Sequence, residues 1–135
     1  HDYVAAEAAK VAHENRLLRK TALMNKFFPY NNKEIAPGIT MVVPTQTHDL
    51  VEWGAVQNNC IGNYVREVEH GTCIVVGFKN AEGKWLGHAE IRDDMMMRQL
   101  LGKGNVALTS EHKRPITKFL AEELSVDINN YWGRA

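Results

Sequence analysis

The sequence predicts an α+β fold: a long N-terminal helix, a central Cys-bearing helix packed on a small antiparallel three-stranded sheet, and a C-terminal helix. Three observations carry that expectation. The runs Thr72 to Phe78 and Trp85 to Arg92 flank the polar, Gly-containing stretch Lys79 to Lys84, which is the pattern of a β-hairpin. Leu50, Trp53, Cys60, Ile61, Tyr64 and Val68 recur at helical spacing just before it. Val4, Ala8, Val11, Leu18 and Ala22 keep near one face of a helix over residues 1–28, with Lys10, Glu14, Arg16 and Lys20 between them.

Taken in order, Asp2 suits the cap of the first helix. Pro29, Asn31, Asn32, Pro37 and Gly38 then break regular structure into a polar loop. Ile39 to Val43 is a β-branched run closed by Pro44, so it reads as an edge strand or an entering strap. Thr47 and Asp49 suit a helix start, and His70 with Gly71 ends that helix, with kinks expected near Gly54 or Gly62. After Asp93 and Asp94, Met95 to Leu101 reads as a third strand antiparallel to the second, although its three methionines suit a helix equally well. Pro115 is expected in the first turn of a last helix carrying Ile116, Phe119, Leu120 and Leu124.

A chain of 135 residues has room for one core, so residues 1–135 are read as a single domain, with a helix over 1–28 and a core over 45–125. Sixteen Lys and Arg balance sixteen Asp and Glu, so any surface that attracts nucleic acid must be local rather than global. No apolar run approaches the roughly 20 residues of a spanning helix. Two cysteines are too few for a disulfide framework, which makes the reducing cytoplasm the expected setting. A start at His1 rather than Met suggests a processed product or a piece of a longer protein.

Several residues carry candidate chemistry. On the second hairpin strand His88, Glu90 and Arg92 alternate with Gly87, Ala89 and Ile91, so a His and a Glu share one face; the plainer reading is a solvated sheet face. Cys60, on the inward stripe of its helix, is either a packed thiol or a nucleophile needing a base such as His70, His88 or His112. Cys73 opens a hydrophobic strand and reads as structural. No metal-ligand spacing occurs, and Asp93 with Asp94 reads as a turn rather than a Mg²⁺ pair; no cofactor is expected. The loop Gln99, Gly102, Lys103, Gly104, Asn105 offers backbone N–H groups and a charge to an anion, without the full phosphate-loop pattern. Arg98, Lys103, Lys113 and Arg114 cluster in the final third beside Tyr131 and Trp132, the mixture used for phosphate contact and base stacking.

Asn59-Cys60-Ile61-Gly62-Asn63-Tyr64, Val68 with Gly71, Ile74-Val75-Val76, Glu90, and Gln99 followed by Gly102 and Asn105 together resemble the PcfJ-like family, over residues 50–120 or so. That family occurs on conjugative plasmids, other mobile elements and phages, so the resemblance implies a mobile-element or phage protein in a bacterial host cytoplasm. Its motif places a His just before the Cys. Here Asn58 and Asn59 precede Cys60, which counts against a Cys-His nucleophile. If Cys60, Tyr64, Gln99 and Asn105 converge, they form a neutral polar pocket better suited to binding than to deprotonation, and Glu90, Gly102 and Lys103 are read as ligand-binding residues with them.

Three functions are therefore expected to compete. The first is binding of nucleic acid, or work within a nucleoprotein assembly, through Arg98, Lys103, Lys113 and Arg114. The second is an enzyme using Cys60 or His88 for nucleophilic or acid-base chemistry. The third is an interaction subunit whose N-terminal helix docks on a protein partner through Leu17, Leu23, Phe27 and Phe28.

Overall fold

The computed structural model describes residues 15–57 and 61–134. Five strands form one antiparallel sheet in chain order: β1 (Lys33–Ala36), β2 (Ile39–Val42), β3 (Cys73–Lys79), β4 (Trp85–Arg92) and β5 (Met97–Leu101). Four α-helices accompany it among the described residues: α1 (Ala22–Phe27), α2 (Thr47–Gln57), α3 (Val65–His70) and α4 (Ser110–Leu124). The fold is α+β, but with five strands where three were expected.

The two additional strands are β1 and β2, a hairpin closed by Pro37 and Gly38. Pro fixes φ at the first turn position and Gly supplies the second, so residues read as loop breakers instead reverse a strand. β2 is not an edge: it lies between β1 and β3 and buries Ile39 and Met41. β1 takes the edge, where its Lys33 and Glu34 remain in solvent.

The long first helix is the second correction. Residues 15–20 run extended beside 45–47, where Leu18 N donates to Thr45 O at 2.9 Å and Thr47 N to Arg16 O at 2.9 Å. Arg16 forks onto the Glu69 carboxylate, and the Arg19 N–H donates to the same group. These bonds hold the strap extended until the Thr21 hydroxyl accepts from Met24 N and starts the six-residue α1. Leu23 and Phe27 are buried in the core and Phe28 is half-buried, so of the four apolar residues proposed for docking only Leu17 is exposed. The part of that helix over residues 1–14, with Asp2, lies outside the described residues.

The central helix is not continuous either. α2 is followed by a 3-10 turn at Ile61–Tyr64 and then by α3. A side-chain carbon on Gly62 would lie 3.5 Å from Val51 Cα, whereas eleven residues of straight helix span roughly 17 Å. The chain has therefore doubled back on α2. The last helix begins five residues before Pro115, which sits in its interior rather than its first turn.

Register assigns the sheet faces, because directly paired residues share a side. Ile74, Val76 and Phe78 on β3, Ala89 and Ile91 on β4, and Met97 and Leu100 on β5 line one face, all buried. Phe27, Ile116 and Leu120 belong to the same core, and Phe119 meets Tyr30 edge-on. The opposite face carries Cys73, Val75, Gly77, His88, Glu90 and Gln99, with α2 and the 3-10 turn against it.

Two β-bulges modify that second face. Trp85 pairs with Lys79 and Gly87 with Phe78, so Leu86 is an extra residue and Trp85 turns onto the His88 side, against the simple alternation expected. Its ring lies where a side chain on Gly77 would be, 2.3 Å from the ideal carbon position, and packs on Trp53 of α2. On β5, Gln99 pairs with Glu90 and Met97 with Ile91, leaving Arg98 as the extra residue. Beyond α4, residues 127–132 run parallel to the outer side of β5, through bridges Met96 to Asp127 and Gln99 to Trp132. Gly133 fits against the Leu100 carbonyl so closely that a side-chain carbon there would fall 2.1 Å from the oxygen.

Candidate functional site

The polar face of β4 and β5 opens into two hollows that share Tyr64 and Arg98. The smaller, of about 300 Å³, is lined by Ile61, Tyr64, His88, Arg98, Gln99, Asn105 and Trp132. The larger, of about 560 Å³, has Glu90 and Cys73 in its wall, with Glu67, Thr72, Arg92 and Asp93 around them. Both volumes fall within the roughly 300–1,000 Å³ of small-molecule sites.

Each lining residue has a local cause. Tyr64 closes the 3-10 turn that the reversal at Gly62 folds over the sheet. His88 and Glu90 come from the central strand and Gln99 from its neighbour, in register. Both Arg98 and Gln99 line the smaller hollow because the bulge leaves two successive side chains of β5 on one side. Asn105 is held by the turn Lys103–Asn105, whose loop is pinned by Gly102 N donating to Val106 O. Trp132 arrives from the C-terminal tail, its N–H donating to Arg98 O at 2.9 Å and its carbonyl accepting from Leu100 N.

His88 and Glu90 are buried, not solvated as the alternation suggested, because β4 is an inner strand with elements packed on both sides. Burial lowers the His88 pKa to about 4, so its ring is neutral at pH 7 and a weak base. The Tyr64 hydroxyl donates to Glu90 Oε1 at 2.9 Å. Burial first, and then that bond, push the Tyr64 pKa well above its ordinary value. Arg98 Nη1 lies 3.7 Å from Glu90 Oε2, joining a largely exposed guanidinium to a carboxylate only 3% exposed. Burial, then the Glu90 charge, push the Cys73 thiol up to about 12, which keeps it protonated and matches its structural reading.

The structure thus brings Tyr64, His88, Gln99, Asn105 and Arg98 to one hollow, with Glu90 next door. Gly102 is buried and serves the loop, since its N–H is committed to Val106 and its carbonyl accepts from Asn105 N. Those two N–H groups are therefore not free to cradle an anion. Lys103 is exposed on the same loop, while Lys113 donates to the carbonyl of Arg134 and Arg114 is exposed on α4; all three stand outside the described lining. Cys60, Asn58 and Asn59 lie outside the described residues. Asp94 accepts from Met96 N as a turn residue, and no group of three or more His, Cys, Asp or Glu among the described residues is placed to hold a metal ion. No described helix is long and apolar enough to cross a membrane.

Sequence reasoning missed the larger hollow. Glu67, Thr72 and Asp93 are turn and helix-end polar residues, and nothing in their spacing links them to Glu90. Trp132 was flagged only as an aromatic near basic residues, since a bridge between residues 33 apart leaves no local signal.

A family model described as PcfJ-like protein matches residues 1–116, including the N-terminal segment that the motifs left uncovered, and the chain belongs to that family. No curated protein and no solved structure matches it.

Proposed function

We propose that this PcfJ-like protein is a binding module for single-stranded nucleic acid, acting within a nucleoprotein assembly of a phage or other mobile element. One observation carries the reading: Trp132 and Arg98 stand together at the mouth of the smaller hollow, Trp132 68% exposed and the Arg98 side chain 65% exposed. An exposed aromatic face contributes roughly 1–3 kcal/mol per stacked base, and a neighbouring guanidinium meets the phosphate. Behind them the amides of Gln99 and Asn105 each offer donors and acceptors for a base edge, and neutral His88 adds no charge to a base inserted there.

The tail also meets two of the late basic residues, Arg98 and Lys113. Trp132 is bonded to Arg98, Arg134 follows two residues later, and the Arg134 carbonyl accepts from Lys113 Nζ. A neutral chain thereby acquires a local basic edge beside an aromatic platform, as backbone contact requires. The mobile-element setting implied by the sequence resemblance fits such a role.

Fluorescence anisotropy with labelled single-stranded DNA and RNA, and with duplex controls, across a salt series tests the reading. Wild-type affinity is expected to fall as salt rises. Trp132→Ala should weaken binding about tenfold or more, and Arg98→Ala should weaken it and flatten the salt dependence by roughly one phosphate contact. Trp132→Ala should melt close to wild type, since that side chain is mostly in solvent, whereas Arg98→Ala also strips the buried Glu90 carboxylate of its ion-pair partner and should melt lower. Absence of binding to either single strand at low salt would sink the proposal.

A further inference from the structure

The larger hollow has a donor and acceptor balance that the smaller one lacks. Its deep wall is Glu90, whose Oε1 accepts a hydrogen bond from the Tyr64 hydroxyl at 2.9 Å. Oε2 faces Arg98 Nη1 at 3.7 Å, an ion-pair distance beyond hydrogen-bond range. A carboxylate has about four acceptor positions, so Glu90 keeps acceptor capacity toward the hollow beyond its bond from Tyr64. The Tyr64 hydroxyl has committed its hydrogen to Glu90 and turns only lone pairs outward, while the Cys73 thiol beside it is a weak donor. The groups around Glu90 thus accept hydrogen bonds, and the strong donors of this hollow are the exposed guanidinium groups of Arg92 and Arg98, where an anionic group is met.

A ligand that fits carries hydrogen-bond donors at its inner end and negative charge at its outer end. A nucleotide whose base bears an exocyclic amino group has that polarity, and amino-to-carboxylate contact is how Glu reads cytosine. Thymine and uracil present a single ring N–H between two carbonyl oxygens, which a buried carboxylate repels. Resting on the reading that the site binds single-stranded nucleic acid, we infer that Glu90 selects amino-bearing bases, cytosine, adenine and guanine, over thymine and uracil.

The test is a comparison of oligo(dC), oligo(dA) and oligo(dT) at one low salt concentration, with cytidine and uridine monophosphates as a second arm that separates base recognition from strand effects. Wild type is expected to bind oligo(dC) and oligo(dA) about tenfold tighter than oligo(dT). Glu90→Gln, whose amide offers a donor as well as an acceptor, should erase that ratio while keeping oligo(dT) affinity. Tyr64→Phe frees Glu90 Oε1 and should widen the ratio, which keeps the idea testable if Glu90→Gln does not fold. Equal affinity of the wild type for all three oligonucleotides, or a preference that survives Glu90→Gln, overturns the inference and leaves nucleic-acid binding standing. Failure to bind any of them overturns both.

Discussion

On one side of β3 and β4 the side chains are Ile74, Val76, Phe78, Ala89 and Ile91; on the other they are Cys73, Val75, Gly77, His88 and Glu90. Both rows are buried, yet the first meets hydrocarbon, while in the second Cys73, His88 and Glu90 line two hollows. On β3 and β4 the apolar side keeps a regular alternation, since its task is to fill space. The polar side departs from it twice, at Leu86 and at Arg98, and each departure places a side chain where the regular pleat would not. Burial therefore does not separate core from site in this domain. What separates them is whether a buried group has an apolar neighbour or an open acceptor.

The sharpest way to break the comparison is to damage the filled side. Phe78→Ala should cost about 3–5 kcal/mol in urea denaturation, through lost transfer energy and a cavity in a site that collapses poorly. Binding per folded molecule should stay unchanged, and a selective loss of binding instead would show that the two faces are not independent.

The next effect belongs to the polar side and appears as pH dependence. His88 binds its proton near pH 4 when folded, against about 6.5 when unfolded, so between those values the unfolded chain holds more protons. Stability should be full above pH 6.5 and fall as the pH drops toward 4, by up to about 3 kcal/mol from this residue. Comparing wild-type and His88→Gln denaturation over that range isolates the contribution. Parallel curves would remove the claim that a neutral imidazole is buried there.

The smallest effect lies away from both faces. Glu69 is held below its usual pKa by Arg16, and this pair ties the extended strap to α3. Since Arg16 is largely exposed, Glu69→Gln should cost no more than about 1 kcal/mol in a thermal melt and leave both faces intact.

Much of the sheet could be read from the chain. The hairpin of β3 and β4 follows from β-rich runs around a Gly turn, a local signal, whereas the strand at Met97–Leu101 is open between strand and helix in the sequence because its methionines suit both. β1 escaped notice because an exposed edge strand with Lys33 and Glu34 needs no apolar run, and its pairing is set by the Pro37 and Gly38 reversal. The first helix was misread because Leu18 and Ala22 keep helical spacing, while the bonds that hold residues 15–20 extended come from Thr45, Thr47 and Glu69. Tyr64, Gln99 and Asn105, three of the four motif residues whose convergence the pocket requires, line one hollow, while Cys60 lies outside the described residues. The detail of that hollow has no signal in the sequence, since neither a bulge nor a tail crossing from residue 132 to residue 99 has a periodicity to detect.

Gly133 gives the tail a hidden leverage. It is nowhere in either hollow, but its φ of +102° and its seat on the Leu100 carbonyl leave no volume for even one methyl group. Substituting alanine there would prise the last residues away from β5, swing the indole out of reach, and silence the mouth of the site while every residue of its lining kept its identity.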